Sequence, residues 1–77
     1  MEYLRDRITI DEKICNGKPT IRGKRIAANT ILEFLSAGDS IDEILKQYPS
    51  LEKEDIFACL QFAADLMNKS YMIKPVA

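Results

Sequence analysis

The sequence predicts a mainly α fold, in which a short N-terminal strand and a β-hairpin precede a three-helix bundle of the helix-turn-helix type. Two observations lead to this prediction. The first third of the chain carries strand-like alternation and glycine-proline punctuation, whereas the rest shows helical spacing of apolar side chains. Ser40 and Glu43 also form a capping box, the signature of a helix start. With 77 residues the chain makes one domain, divided into 8–27, 29–69 and an extended tail at 70–77.

The strands are predicted before position 28. Ile8, Thr9 and Ile10 alternate apolar and polar side chains, which is typical of a half-buried strand. Pro19 excludes a helix from the segment that follows. We expect residues 20–22 and 25–27 to pair as a hairpin, with Gly23-Lys24 as a type II′ turn.

Three helices are predicted after the hairpin. Helix one is expected to start at Asn29, a good N-cap residue, and to end at Gly38. Helix two starts at Ser40 and stops before Pro49. Helix three is expected from about 51 or 52 to about 69, with acidic residues in its first turn that favour the positive end of the helix dipole.

Helix three has more apolar surface than two short helices can cover. Its apolar side chains form two adjoining stripes and leave a narrow polar strip, which is typical of a helix buried on most sides. The tail adds further apolar residues. We therefore predict an interface with another chain, formed by Phe57, Cys59, Phe62, Leu66, Tyr71, Met72 and Ile73.

Charge is divided unevenly along the chain. Residues 1–27 have a net charge of +3 and residues 28–77 a net charge of −4. The hairpin cations are the candidate nucleic-acid contacts, and they are Lys18, Arg22, Lys24 and Arg25. Two other interpretations stay open: a solvated turn, or ion pairs from Arg22 and Arg25 to Asp11, Glu12 or an acidic helix end. The acidic first turn of helix three argues against its insertion into a DNA groove.

The chemistry needed for catalysis is missing from the sequence. The chain has no histidine, and neither cysteine has a base close in sequence, so we predict no enzyme activity, no cofactor, no metal site and no small-molecule ligand. A disulfide between Cys15 and Cys59 stays open, although reduced thiols are expected. No signal peptide or membrane span is predicted, which favours a cytoplasmic protein.

Several segments resemble the small prokaryotic proteins of the family called DUF433, which are grouped with helix-turn-helix domains. The most specific is the string Gly17-Lys18-Pro19-x-Ile21-x-Gly23-x-Arg25. The sequence departs from the family at Lys24, where members usually have Thr, and at Glu52, where they usually have a Thr cap. The resemblance covers about residues 8–66, and its matching segments are 8–11, 14–26, 30–33, 37–45, 48–49, 54–56 and 63–64.

The resemblance implies an antitoxin-like role. Members are often encoded beside a nuclease-like toxin with a PIN-type fold, so the expected partners are such a toxin, a second copy of the chain in a homodimer, and the DNA of the operon itself. The alternative is a DNA-binding transcriptional regulator that acts without a toxin.

Overall fold

The structure is a computed structural model, and it describes residues 1–68 of the chain. Within these residues it contains a three-stranded antiparallel sheet, in the order β1-β2-β3, and three α-helices. The predicted mainly α class is therefore wrong, and the fold is α+β. The elements are β1 (Glu2–Arg5), β2 (Ile8–Ile10), β3 (Thr20–Ile21), α1 (Ala28–Ser36), α2 (Ile41–Gln47) and α3 (Lys53–Met67).

Strand β1 is the element that the sequence did not predict. It pairs with β2, with Glu2 opposite Ile10 and Arg5 opposite Ile8, and it is irregular between Tyr3 and Arg5. All four of its residues are exposed, so it has no apolar face to produce the alternation that reveals a half-buried strand. This edge strand makes the sheet large enough to change the fold class.

The predicted strand at Ile8–Ile10 is confirmed as β2, the central strand. Ile8 pairs with Ile21 of β3, and both side chains are fully buried. The next pair is Thr9 with Thr20, whose buried hydroxyl oxygens lie 3.1 Å apart and share a hydrogen bond. A buried hydroxyl is costly without a partner, and each threonine here supplies one for the other.

The turn after β3 differs from the predicted type II′ turn. Its central residues are Arg22 and Gly23, both with positive φ (48° and 71°), as in a type I′ turn. The Lys24 amide donates to the Ile21 carbonyl at 2.8 Å and closes the turn. Residues 25–27 do not form a full strand: Ala27 makes a single bridge to Thr20. The hairpin prediction placed the turn one residue too late.

The helix boundaries follow local sequence signals closely. The capping box at the start of α2 is confirmed, with the Glu43 amide donating to Ser40 Oγ at 3.1 Å and the Ser40 amide donating to Glu43 Oε1 at 2.9 Å. Gly38 ends α1 as predicted, in a left-handed conformation with φ of 99°. Asp39 and Gly38 donate to the carbonyls of Phe34 and Leu35, the two hydrogen bonds of a Schellman motif.

The predicted N-cap of α1 at Asn29 is wrong. The helix begins one residue earlier, at Ala28, after the N-cap residue Ala27, which makes no side-chain cap. The Ala28 amide instead donates to the Pro19 carbonyl at 2.9 Å, so the residue before β3 supplies an acceptor for an amide in the first turn of the helix. The Asn29 side chain bonds to Glu33 one turn later, at 2.8 Å.

The core lies between the sheet and the three helices. Helix α3 contacts α1, α2 and β2, so one of its faces is fixed by the rest of the domain. The buried apolar residues are Ile8, Ile21, Ala28, Ile31, Ile44, Leu51, Ile56 and Cys59.

Candidate interaction surfaces

A buried carboxylate joins the sheet to the start of α3. Asp55 is fully buried, and it receives the guanidinium of Arg22 through Nε at 2.9 Å and Nη2 at 2.8 Å. Arg7 Nη1 donates to the same carboxylate at 3.0 Å, and the Glu52 amide donates at 2.8 Å. We call Arg7, Arg22, Glu52 and Asp55 the arginine–aspartate cluster. Its formal charge is zero.

Two turns at one end of the sheet present the arginines of this cluster. Arg7 lies between β1 and β2 and Arg22 follows β3, and both have positive φ (65° and 48°), which is uncommon for residues other than glycine. The Arg22 amide donates to the Arg7 carbonyl at 2.9 Å, so the two turns are held side by side. The cluster therefore fixes the sheet against α3.

The ionisation of Asp55 is set by two opposing effects. Burial by itself raises the pKa of the carboxyl, but the hydrogen bonds from Arg22, the Glu52 amide and Arg7 outweigh it and leave the pKa of Asp55 below its ordinary value. Hydrogen bonding to Asp55 also raises the pKa of both Arg7 and Arg22. The group is a stable ion pair at neutral pH, with a structural role.

The four predicted nucleic-acid contacts divide into two groups. Arg22 is engaged in the arginine–aspartate cluster, one of the interpretations left open by the sequence, in which it pairs with an acidic helix end. Lys18 and Arg25 are exposed and Lys24 is half-buried. Among residues 1–68, none of these three side chains has an ion-pair partner within 4.0 Å, and the same is true of Lys13. The segment 13–25 thus carries a group of uncompensated cations.

The predicted interface residues also separate. Cys59 is fully buried in the core. Burial, and to a smaller extent the negative charge of Asp55, raises the pKa of its thiol to about 12. Phe57 and Leu66 are exposed by 47% and 43%, and Phe62 is half-buried. Cys15 and Cys59 are both free thiols. The remaining predicted interface residues, Tyr71, Met72 and Ile73, lie outside the described residues.

An apolar groove of about 270 Å³ runs between the start of α1 and the second half of α3. Carbon-rich side chains form most of it, and one lining residue, the exposed Lys18, carries a charge. Among the described residues 1–68, none that lines the groove is acidic. The lining residues are Lys18, Pro19, Ala28, Asn29, Leu32, Phe62, Ala63 and Leu66.

Sequence reasoning missed three features of these surfaces. It assigned Asp55 to the first turn of helix three, where a carboxylate stabilises the helix dipole. No local pattern indicates that this carboxylate is buried or that it pairs with Arg22, which lies 33 residues earlier in the chain. It did not assign Arg7 a partner. It placed Leu60 and Met67 in one apolar stripe with Ile56, whereas Ile56 is buried and these two side chains are exposed by 44% and 73%. The spacing of Phe57, Leu60, Ala64 and Met67 was the signal that could have separated this exposed stripe from the core face.

Within residues 1–68, no group of three or more His, Cys, Asp or Glu side chains is arranged to hold a metal ion. Of the helices in this part of the chain, none has the length and apolar character needed to cross a membrane.

Comparison with known proteins gives the family. The model of a family described as "Protein of unknown function (DUF433)" matches residues 8–63. The chain belongs to this family. The match contains β2, β3, the turn with Arg22 and most of α3, and it leaves out Arg7 of the arginine–aspartate cluster and Leu66 of the apolar groove.

Two proteins are similar to this DUF433 chain. It is 33% identical over 52 residues to an uncharacterized protein, y4eO, from Sinorhizobium fredii (strain NBRC 101917 / NGR234), a match that covers 68% of the chain and 24% of that protein. The crystal structure of a DUF433 member protein from Anabaena variabilis ATCC 29413 is similar with a TM-score of 0.74 and 31% identity, over 80% of this chain and 61% of that chain. The chain thus spans only part of the length of either relative.

Proposed function

We propose that this DUF433 chain is an antitoxin-like, non-enzymatic module that binds a small nuclease with a PIN-type fold. The observation that carries the proposal is the apolar groove between α1 and α3, with the exposed Lys18 among its lining residues. A concave apolar surface with one charged lining residue suits an amphipathic segment of a partner, which places apolar side chains in the groove and a carboxylate against the lysine. The resemblance of the sequence to antitoxin-like proteins supports the same role.

Charge supports this proposal from the side of the partner. A nuclease that binds RNA presents a basic groove to the phosphate backbone. This chain has a net charge of −4 over residues 28–77, and the acidic residues at the starts of α2 and α3 are largely exposed. An acidic surface laid across such a groove would compete with RNA for it.

Filling the groove should weaken nuclease binding. Ala63→Leu adds three carbons to a half-buried groove position and keeps helix propensity, so we expect the affinity for a PIN-type nuclease encoded beside this chain to fall about tenfold. Lys18→Glu should weaken binding similarly by reversing the charge of this lining residue. Calorimetric titration of the purified nuclease with each variant measures both effects.

Lys46→Glu, a charge reversal on the exposed side of α2, is the matched control and should leave the affinity unchanged. Wild-type affinity in both groove variants would reject the groove as the binding surface. If the wild-type chain does not bind the neighbouring nuclease, the antitoxin-like role itself is rejected.

A DNA-binding regulator is the second candidate, and the uncompensated cations of the segment 13–25 favour it. Each phosphate that a cation neutralises adds about −0.9 to the slope of log K against log salt. Replacing Lys18, Lys24 and Arg25 by Ala should therefore make the slope shallower by up to about 2.7 on operon DNA. Arg22 is left in place because it is paired with Asp55.

Fluorescence anisotropy at several salt concentrations measures this slope. A Lys46→Ala variant tests whether the loss of any lysine produces the same change. An unchanged slope in the triple variant would place DNA contacts elsewhere or exclude them.

A further inference from the structure

Helix α3 has a second apolar stripe, which adjoins its core face and is exposed to solvent. Phe57, Leu60 and Met67 are exposed by 47%, 44% and 73%, and Ala64 between them is also exposed. Successive members are separated by three, four and three residues. This is the spacing of the a and d positions of a heptad, which forms a narrow seam between two helices.

The stripe consists of other residues than the face that holds α3 in its own domain. That face includes Ile56 and Cys59, which have no solvent-accessible surface and belong to the core cluster. Gln61 and Asn68, which are exposed and polar, border the stripe on its outer side. We call Phe57, Leu60, Ala64 and Met67 the outer seam of α3. A helix already anchored on one side presents this seam as a ready-made surface for another helix.

The sizes of the seam residues favour a second copy in antiparallel orientation. When two identical helices run in opposite directions about the centre of the seam, Leu60 of one faces Ala64 of the other, and Phe57 faces Met67. Each layer then combines a larger with a smaller or more adaptable side chain, as interdigitated packing requires. In the parallel orientation each residue meets its own copy, so two phenylalanine rings oppose each other in one layer and the two Ala64 residues leave a gap in another.

Charge favours the same orientation. Lys53, four residues before Phe57, occupies the next position of the same heptad pattern. Its Nζ lies 5.6 Å from the centroid of the Phe57 ring. In a parallel pair the two ammonium groups would face each other. In an antiparallel pair each lies at the C-terminal end of the other helix, where the free carbonyls and the helix dipole stabilise a cation.

We propose that two copies of this chain associate through the outer seam of α3, packed antiparallel about a two-fold axis. The proposal does not depend on the nuclease partner, because the seam and the apolar groove involve different residues. Closed two-fold dimers are the commonest assembly of soluble proteins. In such a dimer every seam residue contributes twice, so one substitution removes two contacts.

Sedimentation equilibrium of the full chain over a range of concentrations tests the association. We expect a monomer–dimer equilibrium, at least about tenfold weaker in Leu60→Ala and abolished in Leu60→Glu. Gln47→Glu on the exposed side of α2 is the control and should dimerise normally. Circular dichroism checks that each variant is folded. If Leu60→Glu does not fold, the milder Leu60→Ala variant still tests the seam. A monomer at all concentrations, or a dimer insensitive to Leu60→Ala, would overturn the proposal.

Cross-linking tests the orientation. In a Cys15→Ser background, chains with Leu60→Cys are mixed with chains with Ala64→Cys and oxidised. The antiparallel seam predicts that the mixture forms covalent dimers much faster than Leu60→Cys alone. Preferential cross-linking of Leu60→Cys to itself would reject the antiparallel arrangement.

Discussion

Replacing Asp55 by Asn is expected to lower the free energy of unfolding by about 3 kcal/mol. Both carboxylate oxygens of Asp55 accept hydrogen bonds from donors alone: Oδ1 from Arg7 and Arg22, and Oδ2 from Arg22 and the Glu52 amide. The amide of Asn would point its NH₂ group at one of these donors in either orientation. This loss is at the lower end of the range for breaking a buried ion pair, because the side chains of Arg7 and Arg22 are 27% and 30% exposed and water can hydrate them in the variant. Urea unfolding at neutral pH measures it.

Asp65→Asn is the matched control. Asp65 also pairs with an arginine, Arg5, but both side chains are about 40% exposed, so we expect a loss of less than about 1 kcal/mol. A similar loss in the two variants would show that burial of Asp55 is not what makes its pair important.

The pH dependence of stability gives an independent readout of the same group. The pKa of Asp55 in the folded state lies below its ordinary value of 3.8. The ionised carboxylate therefore stabilises the fold fully above pH 3.8, and this stabilisation is lost as the pH falls from that value through the folded-state pKa. The wild-type chain should lose this part of its stability in acid. The Asp55→Asn chain should not, and its stability should depend less on pH below about 4.

The features that the sequence predicted correctly are local ones. The capping box of Ser40 and Glu43 and the left-handed Gly38 involve residues no more than five positions apart, so their consequences follow from the adjacent residues. Strand β2 was recognised by its alternation. Strand β1 was not, because pairing with β2 defines it and all of its side chains are exposed. The sheet was therefore underestimated, and with it the fold class.

The type of the turn after β3 depended on a distant residue. Glycine adopts a positive φ at little cost, so Gly23 needs no special contact. A positive φ at Arg22 strains the backbone, and a favourable contact elsewhere must offset this strain. The compensation is the contact with Asp55, 33 residues further along the chain, which no local rule reports. The same contact removes Arg22 from the group of cations that the sequence offered to nucleic acid.

The surfaces of α3 were predicted in part. The sequence showed that the helix has more apolar residues than its own domain needs, but it did not show which stripe the core takes. Helix α1 and strand β2 decide this by contacting the face of Ile56 and Cys59. Cys59 is consequently in the core, and Leu60 and Met67 are on the outside.

Ile56→Ala should lower the free energy of unfolding by about 3 kcal/mol, whereas Leu60→Ala, one turn later at the solvent-exposed edge of the core face, should cost less than about 1 kcal/mol in dilute solution. Ile56 is fully buried, so its truncation leaves a cavity in the core, while Leu60 is 44% exposed and its site refills with water. Denaturant unfolding at low protein concentration, where dimers are dissociated, measures both. At high concentration the Leu60→Ala loss should grow, since the wild-type chain then gains stability from association. Equal losses at low concentration would mean that both faces of α3 are packed within one chain, and the outer seam would not be available to a second copy.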